Sequence, residues 1–159
     1  MFFRNYIERA IAVIRGGHHY PNISGEVEFR QLNEGVEVTV RIYNLPPFTR
    51  EDDLVISPFG FHIHDGNSCD EGTLDNPFPM TGGHYNPENT IHPNHAGDFP
   101  VIVPMSDGTA YMRFITDRFR LREVLNKPVV IHQSPDDYRT QPAGNSGLKI
   151  ACGIITAVR

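Results

Sequence analysis

Cys69 and Cys152 are the only cysteines, too few for a disulfide scaffold. In a reducing cytosol their default state is a pair of free thiols. No apolar run approaches the length of a membrane span, so no membrane partner is expected. Basic residues are also in short supply, 14 Lys and Arg against 19 Asp and Glu. The net charge of −5 argues against nucleic acid or an anionic lipid surface as the main partner. The opening stretch, MFFRNYIERAIAVIRGG, has no small-residue cleavage site after an apolar core and does not read as a signal peptide. A cytoplasmic location is the expectation from that start, and a periplasmic or secreted one if a leader has been removed. No strong helix, internal repeat or low-complexity segment stands out. At 159 residues the chain reads as one domain, residues 1–159, able to bury its own core.

What is present is alternation. Residues 10–16 form a short apolar strand ended by Gly16-Gly17. His18 and His19 follow in a turn and read as solvated loop residues. Ile23, Gly25, Val27 and Phe29 alternate with Ser24, Glu26, Glu28 and Arg30. After the turn at Asn33-Glu34-Gly35, Val36, Val38, Val40 and Ile42 alternate with Glu37, Thr39, Arg41 and Tyr43. Period-two alternation on both sides of a short turn predicts an antiparallel hairpin with one buried face. Leu45-Pro46-Pro47 breaks the pattern, and residues 49–53 are polar. Further strands are predicted at 59–64, 99–105, 109–116, 129–132 and 149–158, while 117–127 reads as either a helical turn or a loop. Eight short strands and two long polar loops, 65–98 and 133–148, predict an all-β fold. A sandwich or an eight-stranded Greek-key β-barrel of immunoglobulin-like architecture fits that count, with the two long loops functional.

Residues 60–98 hold five of the chain's eight histidines. The segment is also rich in Gly, Pro and Asn, so something other than apolar burial must order it. On the strand at 59–64, Phe59, Phe61 and Ile63 point one way while His62 and His64 point the other. His132 closes a distant strand in the same outward sense. His84, His92, His95 and Asp98 lie in the loop. One histidine alone would be an ordinary surface or half-buried group. Histidines placed on converging elements predict metal, because neutral imidazole is the commonest protein ligand. Six histidines and a carboxylate exceed one four-ligand site. All-imidazole ligation suits copper, and three histidines with an aspartate suit tetrahedral zinc. One imidazole serving both ions would give each four ligands from seven residues.

The motifs GFHIH, GGHYNP around His84, the His-x-x-His-x-x-Asp run from His92 to Asp98, VVIH ending at His132, and GNSGLKIACGII resemble the copper/zinc superoxide dismutase family, in the family's order and over nearly the whole chain. The resemblance implies the bacterial type, with a short electrostatic loop. It implies copper on His62, His64, His84 and His132, and zinc on His84, His92, His95 and Asp98, with His84 as the bridge. It also implies that Asp136 links a copper-ligand and a zinc-ligand histidine, and that Cys69 and Cys152 form a disulfide. The implied activity is an oxidoreductase disproportionation of superoxide, the small-molecule substrate, to dioxygen and hydrogen peroxide. The implied catalytic residues are His84 and Lys149. Family members occur as monomers and as homodimers, and no motif decides between them.

Lys149 stands where the family usually carries Arg. It keeps the charge but lacks the planar fork that holds an anion at a set angle. The rival expectation is a weak or inactive copper/zinc-binding member, with a storage or chaperone-like role. Such a member usually lacks copper ligands, and all are present here.

Overall fold

The alternation in the first third of the chain becomes three adjacent strands, β1 (Arg9–Gly16), β2 (Ser24–Gln31) and β3 (Val36–Tyr43). The structure is a computed structural model that describes residues 7–159. Residues 1–6, part of the opening stretch that does not read as a signal peptide, lie outside the described residues. Phe29 pairs with Ala10 and Val38, and Val27 with Ala12 and Val40, so each inward residue meets an inward neighbour. All of these side chains are buried. Burying each large one contributes roughly 1.5–3 kcal/mol.

A small hairpin follows, β4 (Thr49–Glu51) with β5 (Leu54–Ile56), where the sequence shows only a polar break. Its turn is made by Asp52, in the left-handed region at φ 51° that Asp tolerates well. The remaining strands are β6 (Phe61–Ile63), β7 (Ala110–Thr116), β8 (Pro128–His132) and β9 (Lys149–Ala157). Among the described residues, seven strands form one antiparallel sheet in the order β6-β8-β9-β1-β2-β3-β7. The chain leaves β3 near one edge and re-enters at β6 on the other. That long return gives the Greek-key character of the barrel.

The strand predicted at 99–105 is not a regular strand. Its place is taken by isolated bridges, Phe59 with Ile102 and His62 with Asp98, which run beside β6 before the chain turns into β7. Pro100 and Pro104 supply no N–H, so no continuous ladder can form there. Residues 117–127 hold a 3-10 turn at Leu121–Glu123, and another lies at Pro79–Thr81 in the long loop. No helix among the described residues is long and apolar enough to cross a membrane.

The core lies inside the curl, with Phe29, Phe59, Phe61, Ile63, Phe99 and Ile131 all buried. A second, smaller cluster of Phe78, Val130 and Cys152, with Cys69 against it, sits under the long loop on the outer side of β8 and β9. Cys69 and Cys152 are joined in a disulfide, which replaces the free-thiol default. The bond fastens the 65–98 loop to β9 and so fixes the ground on which the histidines stand.

Candidate metal centre

Strand geometry places the first histidines. Phe61 and Ile63 enter the core, and His62 between them projects to the opposite face under the long loop. His132 reaches the same face from β8, paired with Lys149 across the bulge at Ile131/His132. His84 is brought in by an isolated bridge between its backbone and that of His64. His92, His95 and Asp98 arrive on the loop, with Asp98 bridged to His62. The structure therefore gathers two groups, His62, His64, His84 and His132, and His84, His92, His95 and Asp98. Within each group the ligating atoms lie within 4.8 Å of one another.

Hydrogen bonds decide which nitrogen of each ring faces its group. His64 donates from Nδ1 to the Gly82 carbonyl at 2.8 Å, and His132 Nδ1 faces the Gly147 carbonyl at 3.4 Å. A carbonyl can only accept, so the lone pairs sit on the two Nε2 atoms, which lie 3.1 Å apart. Two bare lone pairs at that distance repel, and a cation between them removes the repulsion. His62 and His92 donate from Nε2 to the two oxygens of Asp136, at 2.7 and 2.8 Å. That leaves Nδ1 of His62 and Nδ1 of His92 buried with no hydrogen-bond partner among the described residues, and Nε2 of His84 is in the same condition. A buried polar atom without a partner costs about 1–3 kcal/mol, a cost that a bound cation would remove.

The second group converges on one carboxylate. His84 Nδ1, His92 Nδ1 and His95 Nδ1 lie 2.7, 3.1 and 3.3 Å from the oxygens of Asp98. His84 thus presents Nδ1 to one group and Nε2 to the other. Its ring stacks on His62 with 3.9 Å between centroids.

Electrostatics suit ligation as well. Burial, reinforced by neighbouring imidazoles, pushes His62 and His64 well below the ordinary histidine range. Burial and the nearby His84 take His132 down to about 3. Neutral rings keep the lone pairs a metal needs. Burial alone would raise Asp98, but the hydrogen bond and charge of His84, with His92 and His95, outweigh it and hold the carboxyl low. Three imidazoles and a carboxylate suit zinc, and an all-imidazole group suits copper, so the donor chemistry fits both ions.

An open cavity of about 670 Å³ reaches His64, His84 and His132. Of the described residues lining it, Lys149 alone carries a formal charge. Burial lowers the Lys149 ammonium from the usual lysine range. Glycine is required nearby at Gly144 (φ +70°), where a Cβ would stand 1.9 Å from Asp136 Oδ1.

Some parts of this region give no sequence signal. Gln141 clamps the His92 backbone at both ends, accepting from its N–H at 3.0 Å and donating to its carbonyl at 2.7 Å. Arg118 donates to the carbonyls of Pro93 and His95 at 2.9 and 3.1 Å. His18 and His19 are exposed in a turn, as expected, and also bond the carbonyls of Gly72 and Leu74 at 3.2 and 2.7 Å. These pairs are far apart in the chain, and no periodicity announces them.

Residues 23–155 match the family described as Copper/zinc superoxide dismutase (SODC). A superoxide dismutase [Cu-Zn] of Deinococcus radiodurans is 32% identical over 154 residues, covering 86% of this chain and 79% of the relative. One from Salmonella typhimurium is 38% identical over 144 residues, covering 82% and 76%. Among solved structures, the Cu/Zn superoxide dismutase from Brucella abortus superposes with a TM-score of 0.75 at 27% identity, over 92% of this chain and 99% of that one. With sequence similarity along most of its length and a shared barrel, the chain belongs to the copper/zinc superoxide dismutase family.

Proposed function

We propose that the protein disproportionates superoxide, taking two superoxide anions and two protons to dioxygen and hydrogen peroxide. The observation that carries the reading is His84, whose two ring nitrogens face two different donor groups. His62, His64, His84 and His132 would hold copper, and His84, His92, His95 and Asp98 would hold zinc. Bound there, copper supplies a one-electron couple and zinc a fixed divalent charge on the far side of His84.

The chain's own residues do the rest. Nδ1 of His84 donates to Asp98, so Nε2 carries the ring's lone pair and is the atom that can take up a proton and pass it to the reduced oxygen species. Asp136 fixes the tautomers of His62 and His92 together, which couples the two donor groups through one carboxylate. Among the described residues that line the cavity Lys149 alone carries a formal charge, and it draws an anion toward the site against the net charge of −5.

The storage or chaperone-like alternative calls for an incomplete donor set, whereas both groups are complete and a cavity opens on three of the copper-group rings. We read the chain as a single functional domain. The disulfide favours an oxidising compartment, periplasmic or secreted, over the cytoplasm. Light scattering separates a monomer from a homodimer.

The test compares superoxide consumption by copper-only, zinc-only and doubly loaded protein, with copper EPR and metal analysis. His84→Ala is expected to lower the rate by about 10²–10⁴-fold and to weaken retention of both metals. Full-rate turnover by His84→Ala with both metals tightly held would remove His84 from its role.

A further inference from the structure

We propose that Thr81 is a positioning residue for this reaction, its hydroxyl holding the Lys149 ammonium as a fixed positive charge beside His64. The inference rests on the reading that Lys149 draws the anion into the cavity.

Lysine is ordinarily a mobile charge, with three N–H donors on a flexible stem and no acceptor. Here Nζ lies 2.7 Å from Thr81 Oγ1, 3.3 Å from the Gly82 carbonyl and 3.4 Å from the Phe78 carbonyl. Three acceptors meet three hydrogens, and the shortest contact is to the hydroxyl. Thr81 Oγ1 gives its own hydrogen to the Phe78 carbonyl at 2.8 Å, so a lone pair is left to accept from Lys149. Thr81 is fully buried, so water does not replace it readily.

Both ends of the contact are held. Thr81 closes the 3-10 turn Pro79–Thr81, its carbonyl accepts from Gly66 N–H at 2.7 Å, and Phe78 N–H bonds the Glu71 carbonyl at 3.0 Å. Lys149 opens β9, three residues before Cys152, whose disulfide partner Cys69 lies on the same loop as Thr81. The Gly82 carbonyl that accepts from Lys149 also accepts from His64 Nδ1. One carbonyl therefore sets the place of the charge relative to a copper-group ring. An ammonium with all its hydrogens committed acts through its field and not by reaching out to grip substrate. A guanidinium in place of this ammonium would bring five donors to the same acceptors and depend less on Thr81.

The experiment uses the fully metallated, disulfide-bonded protein and the variants Thr81→Val, Thr81→Ser, Lys149→Gln and Thr81→Val with Lys149→Gln. It reads kcat/KM for superoxide against ionic strength, azide affinity from the copper visible spectrum, metal content and Tm. Thr81→Ser, which keeps the hydroxyl, is expected to stay within about twofold of the parent. Thr81→Val is expected to lose about three- to tenfold in kcat/KM and in azide affinity, with a shallower salt dependence. In the Lys149→Gln background the same change is expected to add nothing. If Lys149→Gln falls but Thr81→Val matches the parent, or if Thr81→Val costs as much in the Lys149→Gln background as it does alone, the positioning role is overturned and the reading of Lys149 survives. If Lys149→Gln itself matches the parent, the reading of Lys149 fails and takes the inference with it.

Discussion

Asp136 shows what one residue does in this site. It is 4% exposed, and its two oxygens accept from rings that belong to different donor groups, with Tyr138 N–H at 2.7 Å as a third partner. Removing the carboxylate leaves two buried ring N–H groups without acceptors and frees both rings to turn. Asp136→Ala is therefore expected to weaken retention of both metals by about 10–100-fold each, read by chelator competition with the metals loaded singly. Loss confined to one metal would show that the carboxylate serves one group only. At this scale the sequence was informative where chemistry has few alternatives. His62, His64 and His132 declared themselves by pointing opposite to apolar neighbours, and the structure places them on one face. Thr81 and Gln141 could not declare themselves, because a threonine or glutamine in a polar loop looks the same whether it faces water or a partner 68 or 49 residues away.

Elements divide along the same line. The β2–β3 hairpin was legible because each strand has one wet and one buried face, so its alternation survives in sequence. Residues 99–105 carry apolar residues too, but Pro100 and Pro104 reduce the expected strand to bridges. The wet face of the sheet also carries a pH signature. Glu37, on β3, accepts from Arg113 Nε at 2.9 Å and Nη2, and pairs with Arg30 at 3.2 Å. The Arg113 hydrogen bond, against the opposing effect of burial, holds the Glu37 carboxyl below its ordinary value of 4.5. A carboxyl lowered in the folded state contributes stability above its unfolded pKa and loses it as pH falls through the folded one. Glu37→Gln is expected to melt below the parent at pH 7, with the gap closing once the pH drops beneath 4.5 and through the lowered value. A gap that stays constant over that range would assign the effect to packing. In the second polar loop, Gln141 grips the His92 backbone from both sides. Its two bonds, of about 0.5–1.5 kcal/mol each, hold the zinc-group loop against the loop that carries Asp136. Gln141→Ala is expected to speed zinc loss by about tenfold while leaving copper retention nearly unchanged, measured by chelator-driven release.

For the whole molecule, the disulfide and the metals constrain the same piece of chain. The bond spans 83 residues, and closing a loop of that size removes about 4–5 kcal/mol of unfolded-state entropy in the usual treatment. It also ties down the native loop from Cys69 toward His84, which is held besides by Phe78 in the small cluster, by backbone bonds such as Gly66 N–H to Thr81 O, and by side-chain bonds from His18, His19, His64 and Lys149. His84 ends that stretch and faces His62, His64 and His132, which sit on or beside barrel strands. A metal held between them would fasten the loop to the barrel a second time. Two fasteners on one segment are linked, and the linkage is reciprocal: if losing the bond weakens metal binding, metal must resist loss of the bond by the same factor. Cys69→Ser with Cys152→Ser is expected to lower metal-free stability in urea by about 4–5 kcal/mol and also to weaken zinc and copper retention. The matching expectation is that zinc shifts the dithiothreitol midpoint for reducing the parent's bond toward higher reductant, by the factor that the serine pair loses in zinc affinity. Should zinc leave that midpoint unmoved, the disulfide would act on the unfolded chain alone, and the loop would owe its native position to packing.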